Sequence, residues 1–255
     1  MAFKPHINRS FCYLRRSISY CLLCIFLLGC TSDDTKDDNG TPNPNLENID
    51  FTNATTATDD NGNSYEIGFN QVTSINQDPF VRKKNAAGET IWYVEHEKSE
   101  VDGRAKMILI DNNNTPWVVF TVVGGSNTPT YITTQAIVEG AFANVYQKSY
   151  GTGGGPKVSI IAKLNPETGA IEKATYMIAK KDDGKTNGFN IQEIGITNQN
   201  IAVKAESVAW PPGTGTSYQR FPDITDADRV DGVFNMYYEV KTDLTQIVDA
   251  QIFKN

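Results

Sequence analysis

The stretch Asn112-Asn113-Asn114-Thr115-Pro116-Trp117-Val118-Val119-Phe120-Thr121-Val122-Val123 reads as a tight turn followed by one strand. Asparagine tolerates the positive φ of a hairpin turn, and a run of β-branched and aromatic residues suits a pleated, buried strand. The same pairing recurs twice: Asn61-Gly62-Asn63 precedes a strand at Ser64–Phe69, and Asn198-Gln199-Asn200 precedes one at Ile201–Trp210. A second kind of turn alternates with the first. It joins Phe80–Lys84 to Thr90–Val94 through Asn85-Ala86-Ala87-Gly88, and Val158–Leu164 to Ile171–Met177 through Asn165-Pro166-Glu167-Thr168-Gly169. A looser copy joins Val233–Val240 to Thr245–Phe253 through Lys241-Thr242-Asp243. Three copies of each hairpin predict about twelve strands in a four-strand repeat, and no long window from Ile49 onward keeps a helical apolar period. The expectation is an all-β fold, a small propeller-like array of about three four-stranded repeats. Closed propellers usually have about four to eight blades, so three copies leave alternatives: an unrecognised fourth blade, a half that closes by dimerising, or a three-fold fold such as a β-prism.

Upstream of this domain the chain reads as an address. Lys4, Arg9, Arg15 and Arg16 form a positive segment without an acidic residue, and Cys21 to Leu28 is an unbroken apolar run. That run is far short of the ~20 residues that span a bilayer as a helix. It ends Leu27-Leu28-Gly29-Cys30, which resembles a bacterial lipobox, where cleavage precedes the cysteine and its thiol carries diacylglycerol. The expectation is a signal peptide over 1–29 and lipid attachment at Cys30. Cys12, Cys21 and Cys24 lie in the part removed, so no disulfide could form in the mature chain.

Residues 30–48 read as the acylated cysteine and a disordered tether, with Asp33, Asp34, Asp37, Asp38, Gly40, Pro42 and Pro44 and almost nothing apolar. Ser32-Asp33-Asp34 resembles the acidic surface-export signal of Bacteroidota lipoproteins, which implies an outer-membrane protein facing outward. The whole chain carries 23 basic and 30 acidic residues, a net charge of −7. Loss of the four N-terminal cations leaves 19 basic residues, and the mature chain stands at −11. Such a surface argues against nucleic acid as a partner, and it makes the acyl chains the attachment to the membrane.

The folded part, residues 49–255, also resembles a known family. Val122-Val123-Gly124-Gly125-Ser126, Thr133-Thr134, Gly140-Ala141-Phe142, Tyr150 with Gly151–Gly155, Ile161-Ala162-Lys163-Leu164-Asn165-Pro166 and Ala174-Thr175-Tyr176 look like one repeat of the SBBP family of bacterial β-propellers. Asp78-Pro79-Phe80-Val81 and Asp102-Gly103-Arg104-Ala105 fit the same pattern elsewhere. The resemblance implies four-stranded blades and carries no catalytic motif.

Little in the sequence offers chemistry. His96 is the only histidine of the mature chain, on the strand face of Trp92 and Val94, and reads as a packed or half-exposed strand residue. Gly151-Thr152-Gly153-Gly154-Gly155 lacks the Lys-Ser/Thr ending of a phosphate loop and reads as a flexible connector. Glu95 and Glu97 share a strand face, as a glycosidase pair could, but they continue into Lys98 and Glu100 as a solvated edge would. Asp59, Asn61 and Asn63 have the alternate oxygen spacing with which a calcium loop begins, without the Gly and Glu that would follow. Asp226, Asp228 and Asp231 form a second acidic loop. Calcium is the alternative at either; ordinary turn chemistry covers both, and no cofactor is expected. The loop Trp210-Pro211-Pro212-Gly213-Thr214-Gly215-Thr216-Ser217-Tyr218 is the binding candidate. Its prolines stiffen it, and Trp210 shares a strand side with Lys204 and Glu206; the competing reading puts Trp210 in the core. The sequence thus predicts a non-catalytic surface lipoprotein that binds a glycan, a peptide or an envelope partner. A carboxylate-based hydrolase on the same scaffold is the alternative.

Overall fold

The alternating turns of the sequence become alternating hairpins. The computed structural model describes residues 46, 48–96, 102–123, 137–153, 155–197 and 199–253. All of them belong to the compact unit Thr41–Asn255. The signal peptide, Cys30, nearly all of the tether, Glu97, and the Gly124–Ser126 and Thr133–Thr134 pieces of the repeat lie outside the described residues.

The described residues are all-β, with three antiparallel sheets of four strands, each in chain order. The first holds β1 (Thr56–Thr58), β2 (Ser64–Gln71), β3 (Gln77–Lys84) and β4 (Thr90–Glu95). The second holds β5 (Gly103–Ile110), β6 (Pro116–Val123), β7 (Lys157–Leu164) and β8 (Ile171–Met177). A ribbon of β9 (Ala179–Lys180) and β10 (Thr186–Asn187) leads to the third: β11 (Phe189–Ile196), β12 (Asn200–Ser207), β13 (Phe234–Lys241) and β14 (Ile247–Ile252). The Asn-x-Asn turns close the first hairpin of each sheet, and the second kind of turn closes the last. The strand expected to run to Trp210 stops at Ser207, whose hydroxyl donates to the Ala209 carbonyl at 2.6 Å.

A side-chain acceptor shapes each of these turns. Asp59 Oδ1 accepts the backbone N–H groups of Asn61 and Asn63, and Asp111 Oδ1 accepts those of Asn113 and Thr115. In the third sheet the Thr197 hydroxyl does the same for Asn200. Asn85 Oδ1 and Asn165 Oδ1 play that part in the last hairpins of the first and second sheets. Each gives a short loop an internal partner for backbone groups that would otherwise depend on water.

The burial pattern explains the texture of the strands. Val118, Phe120 and Val122 of β6 pack in an apolar cluster with Tyr65, Ile67 and Val81 of the first sheet. Trp117 and Val119 pack in a second cluster with Ile194, Val203, Met236 and Tyr238 of the third. The middle sheet is therefore covered on both faces, which is why β6 reads as one apolar run. By contrast, β2 buries Tyr65 and Ile67 between half-buried neighbours and then exposes Phe69 and Gln71, so its covered face ends part-way along the strand.

The segment leading into β1 bonds to one strand of each sheet, β11, β5 and β2. Thr52 exchanges backbone hydrogen bonds with Ile194 of β11, at 2.8 and 2.9 Å. The Ala54 carbonyl accepts from Ile108 of β5, and the Thr55 carbonyl accepts from Ile67 of β2. First-strand edges that would otherwise be open templates for pairing are thus occupied from within the chain.

Candidate functional site

Where the first strands meet, β1 covers only Ser64 to Glu66 of β2 and leaves the edge beyond Ile67 free. A cleft of about 630 Å³ opens there. Its walls come from all three sheets: Phe69 and Phe80 from the first, Arg104, Lys106, Thr121 and Lys157 from the second, and Asn190 from the third. Phe80 reaches the cleft because Gly68 opposite it has no side chain; a Cβ there would stand 3.1 Å from the ring.

A bulge positions the central cation. The β5–β6 register slips between Ala105 and Met107, leaving Lys106 without a cross-strand partner. Ala105 then packs toward the first sheet and Met107 toward the third, although an unbroken strand would put both on one face. Lys106 Nζ donates to Asn190 Oδ1 at 2.6 Å and to the Ile191 carbonyl at 2.5 Å, beside a matching slip in β11. Burial lowers the Lys106 pKa, with the charge of Glu206 acting against it. The Arg104 guanidinium lies 5.1 Å from the centre of the Phe69 ring, and its Nε is buried without a hydrogen-bond partner. Lys157 is paired with Asp102 at 2.9 Å.

The loop singled out by the sequence is ordered by its own contacts. Gly213 N–H donates to the Gln219 carbonyl and Phe221 N–H to that of Pro211, closing a small hairpin. Trp210 is partly buried. The Arg220 guanidinium lies 3.4 Å from its ring centre, Phe234 packs against it at 5.6 Å, and its Nε1 donates to Asp182 at 2.7 Å. Tyr218 donates its hydroxyl to the Trp210 carbonyl, with Lys180 over its ring, and burial pushes its pKa up to about 12. Trp210 and Tyr218 are thus brought together, each already engaged by the protein.

The other candidates are placed as follows. Glu95 accepts from Asn70 Nδ2 at 2.6 Å beside the exposed Tyr93, which stacks on Phe80. His96 is fully buried, and burial brings its pKa down to about 4, opposed by the Gly169 carbonyl. Burial works to raise the Asp59 carboxyl, but hydrogen bonds from Asn63 and Asn61 and the charge of Lys83 outweigh it and hold the group below the usual range. Asp228 caps Thr225, and Asp226 pairs with Arg229 at 2.8 Å. Among the described residues no group of three or more His, Cys, Asp or Glu side chains is placed to hold a metal ion. The glycine-rich connector docks on β10: Thr186 donates its N–H to the Thr152 carbonyl and its hydroxyl to that of Tyr150.

Sequence reasoning passed over Lys106, Lys157 and Asn190. The signal available was Arg104-x-Lys106, two cations alternating within an otherwise apolar strand of an acidic chain. Known protein families offer no model that matches this chain, and no curated protein sequence matches it.

Proposed function

We propose that this chain is a lipoprotein of the outer membrane, held by acyl chains on Cys30 and facing outward on its acidic tether. Its β domain is a small propeller-like, non-catalytic module that binds a glycan. Propeller-like order is supported by three four-stranded antiparallel sheets, each with its strands in chain order, as the strands of a blade are. The observation that carries the binding reading is the cleft at the junction of the three sheets. Its volume, about 630 Å³, falls within the ~300–1,000 Å³ of small-molecule sites. Aromatic rings, hydroxyls and an amide line it together, the mixture that a sugar ring requires. The hydrolase alternative asks for two facing carboxylates, whereas the described lining supplies cations and rings.

Three measurements test the proposal. Labelled palmitate should enter the wild type and not Cys30→Ser. Protease added to whole cells should reach the domain, and replacing Ser32, Asp33 and Asp34 with alanine should prevent this. Cells displaying the protein should retain a labelled polysaccharide from a panel of host, plant and microbial glycans. Retention of none would remove the glycan reading.

A further inference from the structure

We propose that the junction cleft binds an acidic saccharide, with the carboxylate of a sugar ring seated between Arg104 and Lys106. This rests on the glycan reading above and names the class of glycan.

The charge distribution is the first argument. The chain has seven more acidic residues than basic ones, yet the described lining of the cleft holds Arg104, Lys106 and Lys157 and no Asp or Glu. Only Lys157 has a carboxylate partner, Asp102. Among the described residues the hydrogen bonds and ring contacts of Arg104 and Lys106 go to neutral groups: the Phe69 ring on one side, and the Asn190 amide and Ile191 carbonyl on the other. The Glu206 charge acts on Lys106 from outside the cleft lining. Partly buried charges are normally paired, because removal from water disfavours an isolated ion. Here two such charges border one open cavity whose described lining holds no carboxylate.

Donor geometry is the second. Arg104 Nε is buried and unpartnered, and a guanidinium presents its N–H groups as a fork that fits a carboxylate. The bulge at Lys106 is the third, since it gives up a ladder position and places Lys106 in the cleft wall, its ammonium held by Asn190 and Ile191. The cavity is also far larger than an inorganic ion. Phe69 and Phe80 provide apolar walls, and Thr121 and Asn190 provide groups for ring hydroxyls. An anionic sugar ring uses every part of this lining, whereas a free anion uses only the cations.

The test is calorimetric titration of the full-length chain, purified in detergent, with three probes. These are an oligogalacturonide, a neutral galacto-oligosaccharide of equal length, and sulfate. The oligogalacturonide should bind at least about tenfold more tightly than the neutral oligomer, and weaken as salt rises from about 50 to about 500 mM. Arg104→Gln should reduce its affinity by roughly tenfold or more with an unchanged melting temperature, and Arg104→Lys should recover part of the loss. Because Lys106→Gln removes contacts to Asn190 and Ile191, its affinity is read beside its melting curve. Equal binding of both oligomers, unmoved by Arg104→Gln, would overturn the acidic-sugar assignment and leave the glycan reading standing. Binding of sulfate with neither oligomer would overturn both. Preferential binding of oligogalacturonide that ignores Arg104→Gln would place it elsewhere and overturn the site.

Discussion

His96 Nε2 lies 2.8 Å from the carbonyl oxygen of Gly169, so the end of β4 is fastened to the last turn of the second sheet. A carbonyl only accepts, so the neutral ring carries its proton on Nε2 and leaves Nδ1 bare. Nδ1 is buried without a partner, and Phe120 packs at 5.3 Å. Neighbouring side chains grip the same turn: Lys83 Nζ and Trp92 Nε1 both donate to the Pro166 carbonyl at 3.0 Å. One hairpin of the second sheet is thus clasped by three side chains of the first.

Acid should loosen that clasp in a defined window. The folded-state pKa of His96 is brought down to about 4 by burial, against about 6.5 in an unfolded chain. As pH falls below about 6.5 the unfolded state takes the proton first, and the folded state resists until about 4. Stability is therefore full above about 6.5 and lost progressively down to about 4, by about 3 kcal/mol. Denaturant unfolding at several pH values should show this fall in the wild type. His96→Gln keeps a donor for Gly169 without the titration, and should flatten the curve over that interval. Parallel curves would remove His96 as the cause.

The turn itself gives a paired prediction. Gly169 has φ +73°, and a Cβ there would stand 2.7 Å from the Trp92 ring. Gly88, in the equivalent hairpin of the first sheet, has φ +84° with nothing within 4 Å of a Cβ. Gly88→Ala should cost only the backbone strain, about 1 kcal/mol. Gly169→Ala adds overpacking against Trp92 and should cost about 2–4 kcal/mol. Equal losses in thermal or denaturant unfolding would mean that the turn is not held against Trp92.

The three-fold layout was readable because the hairpin turns carry their instructions locally. Asn114 takes positive φ, and Gly62, Gly88 and Gly169 do so as well. The loosest copy was the one where Leu244, fully buried, takes that conformation. A leucine gives no turn signal; it tolerates the strain because its side chain fills the core between the second and third sheets. The cleft was not readable because it depends on long-range placement. Nothing around Lys106 announces a register slip, and its partners Asn190 and Ile191 come from another sheet. Trp210 shows the same limit. Strand alternation placed it beside Lys204 and Glu206, but the chain leaves the sheet at Ser207 and its ring is then governed by Arg220, Phe234 and Asp182.

That environment sets the outcome of removing the Trp210 ring. The ring is partly buried and held on several sides, so Trp210→Ala should cost about 2–3 kcal/mol, short of the ~3–5 kcal/mol of a fully buried aromatic. Arg220→Ala removes the stacked cation together with its hydrogen bond to the Ile224 carbonyl and its ion pair with Asp182, and should cost about 1–2 kcal/mol. A loss under about 0.5 kcal/mol for Trp210→Ala would show that these contacts hold nothing and favour the exposed binding role, one of the two readings the sequence offered, over the core one.

The segment before β1 carries the last prediction. Ile49 and Phe51 lie against Gly195, where a Cβ would stand 2.7 Å from the Ile49 side chain. Lys204 Nζ lies 4.4 Å from the centre of the Phe51 ring, and Tyr237 meets that ring edge-on at 6.5 Å. Thr52, Ala54 and Thr55 then bond in turn to β11, β5 and β2. Seven residues thereby touch the first strands of two sheets and the second strand of the other. A chain beginning at residue 46 retains all of these contacts and should melt at the temperature of the full-length protein. A chain beginning at residue 56 loses four backbone hydrogen bonds to these strands. It also uncovers Gly195 and the Tyr237 face and leaves the edges of β5 and β11 unpaired. Exposed edges of that kind invite pairing between molecules, so the shorter chain should aggregate or melt well below the longer one. Equal melting temperatures and a monomeric elution profile for both would show that the three sheets hold together without this segment.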